Sequence, residues 1–358
     1  MKTYATLSDE MVRQTRTHLL NGETCLHHTG NMPGLGGCAF DPEVQQCIAR
    51  LKGRGTDKGG IVLVPSADCL SDLGVTISPR VARLLGQYWP GNLSVILPCN
   101  DSDLAHLAVK GAVAFRAPTA VALRDWLAGL ETPITSTSVN HNGEPPLLDL
   151  EHIGDDMADW FDIAVLFERE YLEAPEPSTL VRLTGNHLEA LREGSIPADE
   201  LERSWEAPLV LFVCTGNICR SPMAEFYARR HFQSLDLPVR VASAGFLIAG
   251  LSASAPGLQV LGEHGLDGGS HKSTQLSPAL IRSAWRIYTM EQAHLDEIVR
   301  LNPNAEGKVF TLGEAGGLPG DVADPYMQPV GQYRETYAIL KERIDALGHI
   351  LEVEFNNA

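Results

Sequence analysis

Twice along this chain, short apolar runs alternate with helical patterns, and no other feature constrains the fold as tightly. In the first half, Gly59–Ser66, Leu93–Cys99, Gly111–Pro118 and Pro133–Val139 read as strands, with helical patterns at Pro79–Trp89 and Ala120–Leu130 between them. In the second half, strands at Pro208–Val213, Val239–Gly245, Ala284–Met290 and Gly307–Gly313 alternate with helices. Those helices are expected at Ser221–Phe232, Ala255–Gly265, Glu291–Leu301 and Gly331–Phe355. Strict alternation predicts a mainly parallel sheet covered on both faces. The polar stretch Asn186–Val210 divides the halves, so the expectation is two α/β domains, residues 1–200 and 208–358, with 201–207 as linker.

The chain carries 28 Lys and Arg against 45 Asp and Glu, a formal net charge of -17. That balance disfavours indiscriminate nucleic-acid binding but leaves room for a local basic groove. No apolar stretch reaches about 18 residues, and Met1–Gln14 lacks the basic and apolar regions of a signal peptide. The expectation is a cytoplasmic protein with no membrane insertion. The seven cysteines (Cys25, Cys38, Cys47, Cys69, Cys99, Cys214 and Cys219) are scattered and odd in number. They argue against a secreted disulfide framework, and none shows zinc spacing. His27 and His28 are adjacent without a spaced partner, so they read as strand residues and no metal site is expected.

The sharpest chemistry lies in "LVLFVCTGNICRSPMAEF", Leu209–Phe226. A strand delivers Cys214 to the carboxyl edge of a sheet. Thr215, Gly216, Asn217, Ile218 and Cys219 form a turn, and a helix is predicted to start at Ser221 as N-cap, with Pro222 first inside. Loop amides and the helix N-terminus then face one concavity, a ready anion site. Gly216 is expected to supply the backbone freedom for the wrap. Arg220 offers a planar fork for two phosphate oxygens. The same potential favours a sulfur anion at Cys214, and Ser221 can donate a hydrogen bond to it. Attack on phosphorus would give a phosphocysteine. The leaving oxygen needs a proton donor, and "DVADPYMQP" offers Asp324 in preference to Asp321. Tyr326 is expected at the mouth.

Together "VCTGNICRS", "SAGF" and "DPY" make Pro208–Glu354 similar to the low-molecular-weight protein tyrosine phosphatases. The resemblance implies Cys214 as nucleophile, Arg220 as phosphate clamp, Asn217 and Ser221 as loop-holding and thiolate-stabilising residues, and Asp324 as general acid, with no cofactor. It also implies that Cys219 can form a reversible disulfide with Cys214. Phe246 begins an apolar "FLIAG" where some members carry a tryptophan, and Glu291 stands where many have aspartate. The substrate would be a protein phosphotyrosine or a small phosphomonoester. Arsenate reductases share "CTGN" but relay a disulfide through cysteines further along, and this chain has none after Cys219.

In the first half, Lys52, Arg54 and Lys58 cluster before a strand, Arg116 ends another, and Ser138 and Asn140 follow a third. Such converging cations and small polar groups suggest a nucleotide or phosphate pocket. With Trp89-Pro90-Gly91, Arg116 to Pro118, Ser138-Val139-Asn140, Ser178-Thr179 and Arg192-Glu193-Gly194, the segment Lys2–Pro197 resembles the YrdC family. That family makes threonylcarbamoyl-adenylate from threonine, bicarbonate and ATP for tRNA modification. The resemblance implies a twisted α/β domain that binds ATP or AMP, with Mg, through Lys52, Arg54, Ser138, Asn140 and Arg192. Arg116, Ser178 and Thr29 belong to the same motifs. Near Thr29 the sequence departs, with Gly30, Asn31 and Pro33 where the family has aspartate, threonine and tyrosine. A second reading therefore has the first domain making or binding threonylcarbamoyl-AMP or a related adenylate, and the phosphatase acting on a small molecule.

Overall fold

The computed structural model describes residues 1–55, 59–150, 153–167 and 176–356, so Lys58 lies outside the described residues. The chain divides into two compact units, Met1–Leu201 and Glu202–Ala358. Residues 201–206 of the expected linker are the last six of the nine residues of a helix, Ala198–Glu206.

The first unit is built on ten strands: β1 Lys2–Tyr4, β2 Cys25–His28, β3 Pro33–Gly36, β4 Ile61–Leu63, β5 Leu93–Pro98, β6 Ala112–Arg116, β7 Ile134–Ser138, β8 Ile163–Val165, β9 Thr179–Thr184 and β10 His187–Arg192. Their order is β1-β8-β2-β3-β7-β4-β6-β5-β9-β10. This sheet is mixed, not mainly parallel: β2–β3, β3–β7, β4–β7, β5–β6 and β9–β10 pair antiparallel. The physical reason is connection length. Four residues join β2 to β3 and two join β9 to β10, too few for the crossover that parallel neighbours need. Gly185 makes the second turn at φ 56°. The stretch expected to begin the junction at Asn186 thus contributes an edge strand.

Alternation sorts the core. Cys25, Ile163 and Val165 join one apolar cluster with Trp126 and Leu130, while Leu26 and Ala164 join another with Val44, Ile48 and Trp160. Successive strand residues point to opposite faces, so the sheet is covered on both sides. Helices Asp9–Leu20 and Val121–Leu130 pack together, and the buried Trp126 donates its indole N–H to Thr15 Oγ1 at 2.9 Å.

The second unit holds β11 Leu209–Cys214, β12 Arg240–Gly245, β13 Ala284–Thr289 and β14 Val309–Thr311 in the order β12-β11-β13-β14. Every pair is parallel, a Rossmann-like arrangement. All six β11 residues are buried. Leu209, Leu211 and Val213 face one cluster, and Val210, Phe212 and Cys214 the other. Helices Arg220–Ser234 and Val330–Asn356 cover the Cys214 face. The strand order reverses between β11 and β13, so the crevice beyond their carboxyl ends is where such a sheet binds ligands. The last predicted strand shrinks to three residues because Thr311 caps the short helix Leu312–Ala315.

Candidate active site

The turn after β11 wraps around the sulfur. Its left-handed residue is Asn217 (φ 51°), not Gly216. Asparagine tolerates that region because its short polar side chain bonds locally. Here Nδ2 donates to Ser221 Oγ (2.9 Å) and Ser243 Oγ (2.7 Å), and Oδ1 accepts from the Thr274 amide (2.7 Å). Ser243 in turn donates to Glu225 at 2.6 Å.

The helix starts at Arg220, one residue before the predicted N-cap. Ser221 lies in the first turn, where its hydroxyl bonds Cys214 Sγ at 3.0 Å instead of capping the helix. Pro222 follows, still within the turn whose N–H groups have no helical acceptor. Gly245, the last residue of β12, faces Cys214 across the sheet. A Cβ there would lie 2.7 Å from the Asn217 amide N, 2.8 Å from Thr215 O and 2.9 Å from Cys214 O. Sequence alone marked Gly245 only as part of "SAGF"; its role is to let β12 touch the loop.

Arg220 is buried, and its guanidinium bridges three segments. Nη1 contacts Glu291 and donates to Val322 O at 2.8 Å. Nη2 donates to Asp324 Oδ2 at 2.7 Å and reaches Thr215 Oγ1 at 3.4 Å. Nε is buried with no hydrogen-bond partner among the described residues. Such an orphan, on the loop that Cys214 opens, is chemically suited to an anion's oxygen. Asp324 Oδ1 accepts from the Tyr326 amide at 3.1 Å, which fixes the Asp-Pro-Tyr turn. Asp321 instead accepts from the Gln292 amide at 2.9 Å, at the start of helix Gln292–Leu301.

Ile218 packs partly buried against the core and Cys219 is buried, its sulfur 3.2 Å from Tyr333 Oη. Burial pushes the Cys219 thiol up, only partly offset by the Tyr333 hydrogen bond. Phe246 is half-buried and stacks on His294, with ring centroids 5.7 Å apart. His294 was not foreseen from the sequence. Leu247, Ile248 and Leu251, which follow β12, and Tyr326 and Met327, which follow Asp324, are exposed.

In the first unit, the expected nucleotide residues share one cavity of about 590 Å³: Thr29, Lys52, Arg54 and Arg116 with Ser138, Asn140, Ser178 and Arg192. Arg182 adds a fifth cation, and no Asp or Glu lines it among the described residues. Lys52 is held by the turn after β7, with Nζ donating to Ser138 O, to Asn140 O (2.9 Å) and to Asn140 Oδ1 (2.8 Å). Burial, then Arg54, brings its pKa to about 8. Arg192 donates to Ser178 O at 2.9 Å, and Arg116 donates to Gly91 O at 2.9 Å and Asn31 Oδ1 at 3.1 Å. Thr29 Oγ1 also donates to Asn31 Oδ1, at 2.8 Å, so the altered Asn31 is knitted into the wall. His27 is buried, and its Nε2 pairs with Ser136 Oγ at 2.8 Å over the floor left by Gly34. Burial, reinforced by His28, brings its pKa down to about 3. The described residues hold no group of three or more His, Cys, Asp or Glu that could bind a metal, and no helix long and apolar enough to cross a membrane.

Residues 18–194 match the Sua5/YciO/YrdC family model, described as telomere recombination, and residues 209–356 match the low molecular weight phosphotyrosine protein phosphatase model. A protein-arginine-phosphatase of Geobacillus stearothermophilus is 40% identical over 148 residues, 40% of this chain and 97% of that protein. A probable low molecular weight protein-tyrosine-phosphatase, EpsP, of Ralstonia nicotianae is 37% identical over 38% of this chain and 91% of its own length. The protein-tyrosine-phosphatase Wzb of Escherichia coli K12 is 32% identical over 40% of this chain and 96% of its own.

Proposed function

Through residues 209–356 the chain belongs to the low molecular weight phosphotyrosine protein phosphatases, with a YrdC/Sua5-like domain ahead of them, and from that premise we propose how it breaks a phosphate ester. The carrying observation is Cys214 Sγ bonded to Ser221 at one end of the loop, with a buried, unpartnered Nε on Arg220 at the other. Arg220 Nε and Nη2 bind two phosphoryl oxygens, Nη2 giving up Asp324 Oδ2 to the substrate while keeping Thr215, which frees the Asp324 carboxyl to carry a proton. The Cys214 thiolate attacks phosphorus in line, the P–O bond breaks, and Asp324 gives its proton to the leaving oxygen. Water then attacks the phosphocysteine, Asp324 takes the water's proton, and phosphate leaves with the thiolate restored.

The apolar rim of Leu247, Ile248, Leu251, Tyr326 and Met327 favours an aryl leaving group on an apolar peptide, hence protein phosphotyrosine, over the polar phosphoguanidinium of phosphoarginine. Turnover of para-nitrophenyl phosphate by the intact protein, lost in Cys214→Ser, is the expected result. Full activity in Cys214→Ser defeats the mechanism. Faster release from phosphoarginine peptides than from phosphotyrosine peptides defeats the substrate assignment.

For the first domain we propose an ATP or AMP site, with Mg when ATP is bound. Five cations around a cavity that no Asp or Glu lines among the described residues support it, in a chain whose net charge is -17. Heat on titrating ATP or AMP into the intact protein, reduced in Arg192→Ala, is expected; no heat with either counts against the site. Pyrophosphate release that requires threonine and bicarbonate would extend the reading to adenylate synthesis for tRNA modification. A cytoplasmic location follows from that chemistry.

A further inference from the structure

Thr215 is the first residue after the sulfur, and its exposed hydroxyl shares the Nη2 of Arg220 with Asp324. That places it at the edge of the anion site, beside the group proposed to protonate the leaving oxygen. On its other side stands His294, buried, with Nε2 2.9 Å from Thr215 Oγ1.

The imidazole's other nitrogen decides the direction of this bond. Nδ1 is buried and has no partner among the described residues. A tautomer protonated there would bury an N–H without an acceptor; protonation at Nε2 leaves only a lone pair unmet. Burial also holds the ring below its usual pKa, so it is neutral at pH 7. The Nε2–H therefore donates to Thr215 Oγ1. Arg220 Nη2 approaches the same oxygen. With both lone pairs engaged, the hydroxyl proton of Thr215 is committed outward.

We propose that Thr215 is a substrate-binding residue that donates to a phosphoryl oxygen, and that His294 is the positioning residue that fixes it as a donor. The inference rests on the phosphatase reading of the site, and deepens it. Nothing is transferred: one hydrogen bond forms to the oxyanion and one from His294 persists throughout.

The test uses the full chain, with inorganic phosphate binding by calorimetry and steady-state turnover of para-nitrophenyl phosphate. His294→Phe keeps a ring against Phe246 but removes the donor. It should weaken phosphate binding about tenfold, the scale of one hydrogen bond to a charged group, and raise KM by more than it lowers kcat. Thr215→Val should match it, His294→Gln should recover most of the loss, and the double variant should be no worse than Thr215→Val alone. Unchanged phosphate affinity in a folded His294→Phe, or fully additive losses, overturns the proposal. If His294→Phe does not fold, Thr215→Val against Thr215→Ser decides it: equal affinity in both overturns it. Absent turnover in the parent is a separate result that strikes the phosphatase reading, since phosphate binding still tests the Thr215–His294 pair.

Discussion

Gly245→Ala adds one methyl group where none fits. Gly245 does not have a positive φ, so the backbone accepts alanine and the only objection is space. The new Cβ would stand 2.7 Å from the Asn217 amide N and within 3.0 Å of two further backbone oxygens, Thr215 O and Cys214 O. Two belong to the loop and the third to the end of β11, and backbone cannot rotate away as a side chain can. Relief to ordinary contact needs about 0.5–1 Å of separation between β12 and the loop. Overpacking of this kind costs about 1–3 kcal/mol, and a 1 Å misplacement of reacting groups costs about a hundredfold in rate. The expected result is a folded protein with kcat/KM on para-nitrophenyl phosphate down about a hundredfold. Its second unit should unfold about 4–8 °C lower, for a cost near 2 kcal/mol. Parental kcat/KM at parental thermal stability would show that the loop does not depend on this contact, and the close-approach argument would fail.

Asn217→Gly keeps the left-handed backbone but strips the side chain's three hydrogen bonds. It should still lose about a hundredfold in kcat/KM, and parental activity would refute the bonding argument. Lys52→Met leaves the acceptors at Ser138 and Asn140 unmet and should lower the first unit's stability by about 1–3 kcal/mol in urea titrations; no shift would refute it. His27 has its folded pKa pushed down to about 3 from an ordinary 6.5. Between those values the unfolded chain binds a proton that the fold does not, so stability is retained above pH 6.5 and falls as pH drops toward 3. Protection factors for hydrogen exchange over Cys25–Gly36, corrected for the intrinsic pH dependence of exchange, should fall through that window, and His27→Gln should flatten the slope.

The phosphate loop was legible because its chemistry is local: sulfur, turn, arginine and helix start lie within eight residues, Cys214 to Ser221. The all-parallel second sheet was legible for the same reason, since its strands and helices alternate one by one. What escaped depends on distance along the chain. His294 meets Thr215 across 79 residues and His27 meets Ser136 across 109, and no periodicity records such a meeting. His27 and His28 read as strand residues, but their hairpin partner β3 was missed because "PGLG" lacks the apolar alternation by which strands are recognised. Gly216 drew the eye as the flexible residue, yet Asn217 takes the left-handed position because four neighbouring polar groups can satisfy it there.

The hydrogen bonds behind the nucleophile have a direction. The Thr274 amide can only donate, so it turns the Asn217 carbonyl oxygen toward itself and sends the NH₂ group toward Ser243 and Ser221. Ser243 must then hand its proton to Glu225, and Ser221, accepting from Asn217, has its own proton free for the sulfur of Cys214 at 3.0 Å, with Ala244 O the more distant acceptor at 3.4 Å. One carboxylate, nearly buried on the helix beyond, thus acts as the terminal acceptor of the Ser243 branch, while the Thr274 amide fixes the orientation of Asn217 for both branches. An amide at residue 225 can donate into Ser243 and compete with Asn217 there, so Glu225→Gln disturbs the Ser243 end of the row while leaving its shape intact. The nucleophile's environment is in this sense written in the orientation of protons as well as in the positions of atoms.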